Sequence, residues 1–314
     1  MEVRYDNLKD RHVVFSPERS SRPEELHPGE EREGEDDCPF CRGNEDMTPP
    51  TIRKKGDPWR VRLIENKYPA LSLDEETRDF SDGLLQSMPG HGRHEILIEG
   101  GEHERFDKLD SRTLQDAASL LLERCTELSS RDGIENVLVF KNKGEKAGAS
   151  LSHPHTQILA SPVVPSEIRK ELEQQRDYSG QGGGCLLSDL VDLESEGRAV
   201  AEGEFFTAYC PHASSWPYEV RIVPERHVNK IGDLEQGEKE ELFELVQDIA
   251  TAYQEKLGRT PYNVLYHGMS GEDFHFHVEM FPRRKDLAGA ELSGIRINET
   301  LPGDAAEVLR DGLP

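Results

Sequence analysis

The sequence predicts an α+β protein made of two similar halves, because strand and helix patterns follow one another in the same order twice. The segment H-E-I-L-I begins at residue 94, and Y-E-V-R-I begins at residue 218. Each is followed by a long helical pattern, by a strand that begins N-V-L, and by a segment with two histidines one residue apart. These histidine pairs are His153 with His155 and His275 with His277.

Hydrophobic periodicity predicts the individual elements. Apolar residues recur at helical spacing from Leu114 to Leu128, which predicts a helix over 110–129 with Asp110 or Ser111 as its N-cap. Alternating or continuous apolar runs predict strands. We expect strands at 13–15, 59–64, 94–99, 136–142, 218–222 and 263–267, and helices that begin near 165 and span about 237–257.

The length of 314 residues suits two domains of ordinary size. Regular patterns are weak in residues 177–203, which contain G-Q-G-G-G and mixed acidic stretches. We therefore predict an N-terminal half over 1–176, a connection over 177–203 and a C-terminal half over 204–314.

The charge of the chain excludes two classes of partner. Its 62 acidic and 38 basic side chains give a net charge of -24, which repels nucleic acid and anionic membranes. Phosphorylated small substrates stay possible, because a local cluster of arginines dominates within a screening length of roughly 8 Å. No apolar run approaches the roughly 20 residues that span a bilayer, and M-E-V-R-Y-D-N is no signal segment. We expect a cytoplasmic protein.

A C-P-F-C motif at 38–41 is the one close pair among five cysteines. Such a pair serves zinc binding or thiol redox chemistry. A thioredoxin-like site needs a strand before the pair and a helix after it, whereas an acidic loop precedes this one and R-G-N-E-D-M-T-P-P follows. The context favours zinc, but two thiolates need two further ligands to complete a tetrahedral site.

The stretch G-A-S-L-S-H-P-H-T-Q, from Gly148 to Gln157, combines two histidines and an amide with small residues. Alternate residues of a strand share a face, so His153, His155 and Gln157 point to one side. This density indicates a dedicated site, although a strand with two satisfied histidines is the alternative. The later copy at 275–279 carries bulky Phe274 and Phe276.

Taken together, C-P-F-C, His103, F-K-N-K-G-E-K-A-G-A-S-L-S-H-P-H-T-Q and the later H-G and H-F-H segments resemble the galactose-1-phosphate uridylyltransferase family, a duplicated branch of the histidine-triad nucleotide transferases. The resemblance implies two histidine-triad-like halves with a mainly antiparallel sheet flanked by helices. It also implies a homodimer and ping-pong transfer of UMP from UDP-glucose to galactose 1-phosphate. With zinc in a closed Cys2His2 site, the metal is expected to be structural.

The resemblance assigns roles by position. His155 is the expected nucleophile, since a neutral imidazole attacks phosphorus near pH 7, and Gln157 is expected to hydrogen-bond the phosphate. The expected zinc ligands are Cys38, Cys41, His103 and His153. The expected substrate-binding residues are Arg19, Arg22, Asn66, Asn142, Gly148, Ser150 and Gln157. On spacing alone, Arg19 and Arg22 fit solvated surface arginines equally well.

Two features depart from the family pattern. A second metal site maps to Glu171, His267 and His277, but the family's last histidine ligand falls on Glu279, so salt bridges or plain core polarity are alternatives. The segment A-G-A-E-L-S-G-I-R-I-N-E-T lacks the basic and aromatic pattern that holds a hexose phosphate. An ADP-sugar phosphorylase or adenylyltransferase with the same nucleophile is therefore one rival hypothesis, and a non-catalytic nucleotide sensor is another.

Overall fold

The computed structural model describes residues 2–15, 17, 38–73, 80–82, 84–271, 273–284 and 287–314. The expected arginine pair, Arg19 and Arg22, lies outside the described residues. Within the described part, no helix combines the length and the apolar character needed to cross a membrane. Its strands are β1 (Glu2–Asp6), β2 (Arg11–Phe15), β3 (Thr51–Gly56), β4 (Trp59–Glu65), β5 (Phe80–Asp82), β6 (Leu85–Ser87), β7 (Arg93–Glu99), β8 (Asn136–Lys143), β9 (His155–Ser161), β10 (Ala199–Glu202), β11 (Phe206–Tyr209), β12 (Val220–Pro224), β13 (Tyr262–His267), β14 (His277–Pro282) and β15 (Arg296–Asn298). The helices are α1 (Ser111–Ser129), α2 (Ser166–Gly180), α3 (Leu186–Glu194), α4 (Gln236–Leu257), α5 (Gly289–Leu292) and α6 (Pro302–Arg310).

A ten-stranded sheet joins the two halves across the described residues, in the order β10-β11-β12-β14-β13-β8-β9-β7-β4-β3. Strands β8 and β13 pair antiparallel at its centre. Outward from β8 come β9, β7, β4 and β3, and outward from β13 come the corresponding strands β14, β12, β11 and β10. This symmetric order confirms the predicted α+β fold of two histidine-triad-like halves with an antiparallel sheet.

The long helices α1 and α4 pack against each other and against one face of this sheet. Helix α1 begins where the sequence predicts, because the Asp110 side chain accepts a hydrogen bond from the Thr113 backbone N–H. Core residues of the sheet, including Leu97 and Ile158, meet the helices on this face. Since strand residues alternate between faces, Ile96 and Ile98 point to the opposite face.

The segment 177–203 has more regular structure than its composition predicted. It contains the end of α2, the whole of α3 and strand β10, which pairs with β11 at the edge of the large sheet. Helix α3 buries Leu186, Leu187 and Leu190 against Tyr209 and its neighbours. Helix α3 was not predicted, because a nine-residue helix with one apolar face leaves only a short pattern in the sequence.

A second, three-stranded sheet lies in the described residues in the order β1-β2-β15. The predicted strand at 13–15 is the end of β2, which pairs antiparallel with β1 and parallel with β15. Residues 2–15 therefore form a hairpin that pairs, through β2, with strand β15 in the C-terminal part of the chain.

Candidate active site

The start of β9 lies at an opening of the large sheet. On one side Ile98 of β7 pairs with His155, and on the other side the last pair between β8 and β9 joins Phe140 to Gln157. Strand β8 continues beyond this point along β13 to Lys143. A cavity of about 340 Å³ occupies the opening. It is lined by His103, Glu104, Arg105, Phe106, Lys108, Lys141, Asn142, Lys143, Ser152, His153, Pro154, His155 and Tyr262.

His155 is held in one tautomer. Its ring is only 5% exposed, and Nδ1–H donates a 2.8 Å hydrogen bond to the backbone carbonyl of His153. This leaves the lone pair on Nε2, the other ring nitrogen. Burial lowers the pKa of His155, and the carbonyl contact opposes that shift without cancelling it. The imidazole is therefore neutral near pH 7, as a nitrogen nucleophile requires.

Gln157 is oriented by a residue that the sequence analysis assigned only to a strand. His94 accepts a hydrogen bond at Nδ1 from the Ala70 backbone N–H (3.2 Å), so its proton is on Nε2. This Nε2–H donates to Oε1 of Gln157 at 3.0 Å, which leaves the Gln157 amide N–H groups for other partners. The expected nucleotide contact Asn66 lies against the same ring, with Nδ2 at 3.2 and 3.4 Å from its nitrogens.

His94 was missed although the sequence contains a signal for it. It precedes Ile96 and Ile98 in strict alternation, so it lies on the same face as Gln157 on the neighbouring strand. Burial lowers the pKa of His94, and its bond to Gln157 acts in the opposite direction. A neutral His94 ring keeps the Nδ1 lone pair that accepts the hydrogen bond from the Ala70 backbone N–H.

The other expected substrate-binding residues lie in or near the turn after β8. Asn142 lines the cavity, and its Oδ1 accepts from Asn263 Nδ2 at 2.8 Å. Gly148 adopts a left-handed conformation (φ +88°) at the end of the 145–147 turn, which explains a glycine there. Ser150 is exposed in the loop that leads to β9.

The structure brings the four expected zinc ligands together. The ligand atoms of Cys38, Cys41, His103 and His153 lie within 4.8 Å of one another. Nδ1 of His153 is 3.7 Å from both sulfurs, and Nδ1 of His103 is 3.9 Å from Cys41. His153 donates from Nε2 to the Gly100 carbonyl at 3.0 Å, so the Nδ1 lone pair faces the cysteines.

The chemistry of this donor set fits zinc. Two sulfurs and two imidazoles form the soft, four-ligand set of closed zinc sites. Burial lowers the pKa of His153 to about 4, which keeps a neutral ligand. Burial and the adjacent Cys38 thiol raise the pKa of Cys41 to about 11, so the Cys41 sulfur becomes a thiolate at neutral pH only beside a cation.

A second cluster corresponds to the possible second metal site. Glu171, His267 and His277 place their ligand atoms within 4.8 Å of one another. His267 Nδ1 lies 2.8 Å from Glu171 Oε2, and His277 Nε2 lies 3.7 Å from the same oxygen. The Glu279 carboxylate borders the cluster, 3.8 Å from Nε2 of His267, but its nearer contacts are Lys9 and, at 3.3 Å, Arg221. Burial alone lowers the pKa of Lys9, but Glu279, Glu171 and Glu219 raise it overall.

A third cluster, Cys185 with His227 and His275, did not appear in the sequence analysis as a site. Cys185 Sγ lies 3.1 Å from His275 Nδ1, and His275 donates from Nε2 to the Pro224 carbonyl at 3.1 Å. The internal repeat is the signal that could have found it, because His227 and His275 correspond to His103 and His153. Cys185 belongs to the segment 177–203, which the sequence predicts to be a connection.

Comparison with known proteins supports one family over the whole chain. The family description "Galactose-1-phosphate uridyl transferase, N-terminal domain" matches residues 1–165, and its C-terminal domain matches residues 171–311. ADP-glucose phosphorylase of Arabidopsis thaliana is 30% identical over 327 residues, which cover 99% of this chain and 92% of the relative. Galactose-1-phosphate uridylyltransferase of Thermotoga maritima is 29% identical over 328 residues, covering 99% and 98%.

Solved structures agree with the sequence matches. The crystal structure of the Arabidopsis ADP-glucose phosphorylase with bound ADP-glucose has a TM-score of 0.87 at 29% identity and covers 99% of this chain and 98% of that one. A structure described as a uridylyltransferase has a TM-score of 0.78 at 26% identity, with 99% and 98% covered. Each of these relatives and structures therefore matches both halves of this chain. The chain belongs to the galactose-1-phosphate uridyl transferase family of nucleotide-transferring enzymes.

Proposed function

We propose that this protein transfers UMP from UDP-glucose to galactose 1-phosphate through a covalent uridylyl-His155 intermediate. The observation that carries the proposal is the His155 ring, which is neutral, buried and fixed by the His153 carbonyl so that the Nε2 lone pair is available. Its place in the lining of the cavity at the start of β9 supports the role of nucleophile.

In the first half-reaction, Nε2 of His155 attacks the α-phosphorus of UDP-glucose. The bond from this phosphorus to the bridging oxygen breaks, and glucose 1-phosphate leaves with that oxygen. In the second half-reaction, a phosphate oxygen of galactose 1-phosphate attacks the same phosphorus, the phosphorus–nitrogen bond breaks and UDP-galactose leaves. The free amide N–H groups of Gln157 are suited to a phosphoryl oxygen, because His94 already occupies Oε1.

Local charge supports a phosphorylated substrate in spite of the acidic chain. Four basic residues line the cavity: Arg105, Lys108, Lys141 and Lys143. Lys141 is buried and paired with Glu99, whereas Arg105 and Lys108 both contact Asp107. The four basic side chains of the lining outnumber its one carboxylate, Glu104, so the cavity favours small anions although the protein has a net charge of -24.

The Cys38, Cys41, His103 and His153 set would hold zinc in a structural role, since four protein ligands leave no open position. His153 links the two functions, because its ring faces the cysteines while its carbonyl accepts the Nδ1–H of His155. In the reaction, His153 thus holds the nucleophile His155 in one tautomer. We also propose a cytoplasmic homodimer, on the resemblance and on the composition.

An ADP-sugar phosphorylase or adenylyltransferase is the second candidate. It is supported by the Arabidopsis ADP-glucose phosphorylase, which is 30% identical along 99% of this chain. The two candidates share the His155 chemistry and differ in the base of the donor and in the acceptor. A test of which sugar nucleotide labels the protein therefore distinguishes the two candidates, whereas mutation of the nucleophile does not.

The test is covalent labelling with UDP-glucose or ADP-glucose that carries a radioactive α-phosphate. We expect acid-labile label from UDP-glucose, its loss in His155→Ala, and its retention in His12→Ala, which changes an exposed histidine outside the cavity. Label from ADP-glucose alone would establish the second candidate. Binding without label from either donor would overturn the covalent mechanism in favour of a nucleotide sensor.

A further inference from the structure

Lys9 belongs to the turn between β1 and β2. Its side chain nevertheless reaches the second cluster, whose residues are far from Lys9 in the sequence. The turn is fixed by Asp6, whose Oδ1 accepts from the backbone N–H groups of Leu8 and Lys9 at 3.1 and 3.2 Å. Lys9 is 9% exposed. Its ammonium forms an ion pair with the Glu279 carboxylate and lies 3.9 Å from Oε1 of Glu171.

These contacts matter because the resemblance drawn from the sequence maps a second metal site onto this cluster. Glu171 is a candidate ligand, and its carboxylate is already shared between the Lys9 ammonium and Nδ1 of His267. Glu279, the position of the family's last histidine ligand, is held by Lys9 and by Arg221. Protein groups therefore already make the direct contacts to Glu171 and Glu279 that a metal ion would otherwise make.

The charge balance of the cluster leads to the same conclusion. The buried carboxylates of Glu171 and Glu279 face the buried cations Lys9 and Arg221, and the buried acid Glu219 also acts on Lys9. A divalent ion among Glu171, His267 and His277 would add two positive charges close to the Lys9 ammonium. Such repulsion is strong where water is excluded.

One atom of the cluster keeps the capacity to bind a metal. His277 donates from Nδ1 to the His275 carbonyl at 3.2 Å, which leaves the lone pair on Nε2. Among the described residues this Nε2 is buried without a hydrogen-bond partner, 3.7 Å from Glu171. The donor geometry thus survives beside the ammonium.

We propose that Lys9 is a built-in cation that replaces the second metal of the family: its ammonium closes the Glu171–His267–His277 cluster to divalent ions and ties the N-terminal hairpin to the second half. The cluster is a latent metal site that opens when this charge is removed. The fold at this point is held by ion pairs with Lys9.

The wild-type protein provides the first test. Full-length protein is equilibrated with Co²⁺ and the bound metal is counted after dialysis, alongside Glu171→Gln. We expect equal metal content in the two proteins, because any metal then belongs to the cysteine-containing clusters, whose thiolates give charge-transfer absorption. A loss of about one equivalent in Glu171→Gln would overturn the proposal, because it would place a metal on Glu171.

Lys9→Met provides the second test, since methionine preserves much of the length without the charge. We expect a gain of about one Co²⁺ equivalent with d–d absorption but no added thiolate band, and its loss in Lys9→Met/Glu171→Gln. Lys9→Arg keeps the charge and should gain nothing. Lys141→Met, which removes another buried, glutamate-paired lysine, is the matched control and should also gain nothing.

Stability is measured in the same proteins. Lys9→Met should melt at a lower temperature than wild type without metal and recover when Co²⁺ is added, whereas Lys9→Arg should respond to Co²⁺ as wild type does. A folded Lys9→Met protein that gains neither metal nor stability would show that Lys9 is not what excludes the ion. If Lys9→Met does not fold, a loss of metal in Glu171→Gln relative to wild type would still overturn the proposal.

Discussion

The two histidine strands have the same internal geometry and different surroundings. His153 and His275 each donate from Nε2 to a backbone carbonyl, at 3.0 and 3.1 Å. His155 and His277 each donate from Nδ1 to the carbonyl two residues earlier, at 2.8 and 3.2 Å. The hydrogen bonds that fix the tautomers were thus preserved in both copies of the repeat.

What differs is the neighbour of the second histidine. The Nε2 side of His155 belongs to a cavity lined by basic residues, whereas Nε2 of His277 points at Glu171 inside the protein. Gln157 is held by the neutral ring of His94, while its counterpart Glu279 is held by Lys9 and Arg221. A histidine fixed in the correct tautomer is therefore not enough for chemistry: it also needs an open, positively charged cavity.

The largest effect is expected when the second histidine of each pair, His155 or His277, is replaced by alanine. His155→Ala should lower turnover at least about 10³-fold, because no other group can carry the nucleotidyl group. His277→Ala should lower the melting temperature but leave covalent labelling in place. Turnover and labelling are measured for both, with zinc content as a check that the Cys38 cluster is intact. Equal loss of labelling in the two variants would contradict the conclusion that only the N-terminal half carries the nucleophile.

The two cysteine-containing clusters provide the next comparison. Cys38→Ser should remove about one equivalent of zinc and lower the free energy of unfolding by about 3 kcal/mol or more, because metal binding and folding are coupled. Cys185→Ser should cost less, since Cys185 is half-buried and its partner His227 is exposed. Bound metal and denaturant unfolding are measured on both. The comparison fails if Cys185→Ser is the more damaging change.

Short-range patterns in the sequence predicted most of the fold. The helix over 110–129, the strands at 59–64, 94–99 and 136–142 and the repeat itself are all present. They were predictable because each depends on periodicities of a few residues or on a direct match between two segments. The grouping of Cys38, Cys41, His103 and His153 came from the resemblance, and the structure brings them within 4.8 Å.

Contacts between distant segments were not predictable in the same way. Lys9 meets Glu279 across 270 residues, and nothing in the turn 7–10 indicates which surface it faces. The alternation in β7 indicates the face on which His94 lies, but the pairing of β7 with β9 that brings His94 to Gln157 is not contained in a local pattern. Cys185 joins His275 across 90 residues from a segment of weak pattern. These contacts depend on tertiary packing, and they distinguish the two halves.

The contact that orients Gln157 can be tested by a double-mutant cycle. His94→Phe keeps a ring but removes the Nε2–H, so the Gln157 amide should lose its fixed orientation and kcat should fall about 10- to 100-fold, with a smaller change in KM. In a Gln157→Ala background the same substitution should have little further effect. Additive losses would mean that His94 acts independently of Gln157, through packing alone.

The smallest effect compares two glutamates at matching positions of the repeat, Glu95 and Glu219. Glu95 is bound by Arg124 at 2.6 and 2.8 Å, while burial, followed by repulsion from Glu279, raises the pKa of Glu219 to about 7. A carboxyl group whose pKa is raised by folding binds its proton more tightly in the folded state, so stability falls as pH rises from the unfolded pKa to about 7. Glu219→Gln should therefore stabilise the protein at pH 8, on the order of 1 kcal/mol, and hardly at all at pH 5. Denaturant unfolding at both pH values measures this, with Glu95→Gln as the control that should destabilise at both. A pH-independent effect of Glu219→Gln would mean that Glu219 stays ionised beside Lys9 and Arg221.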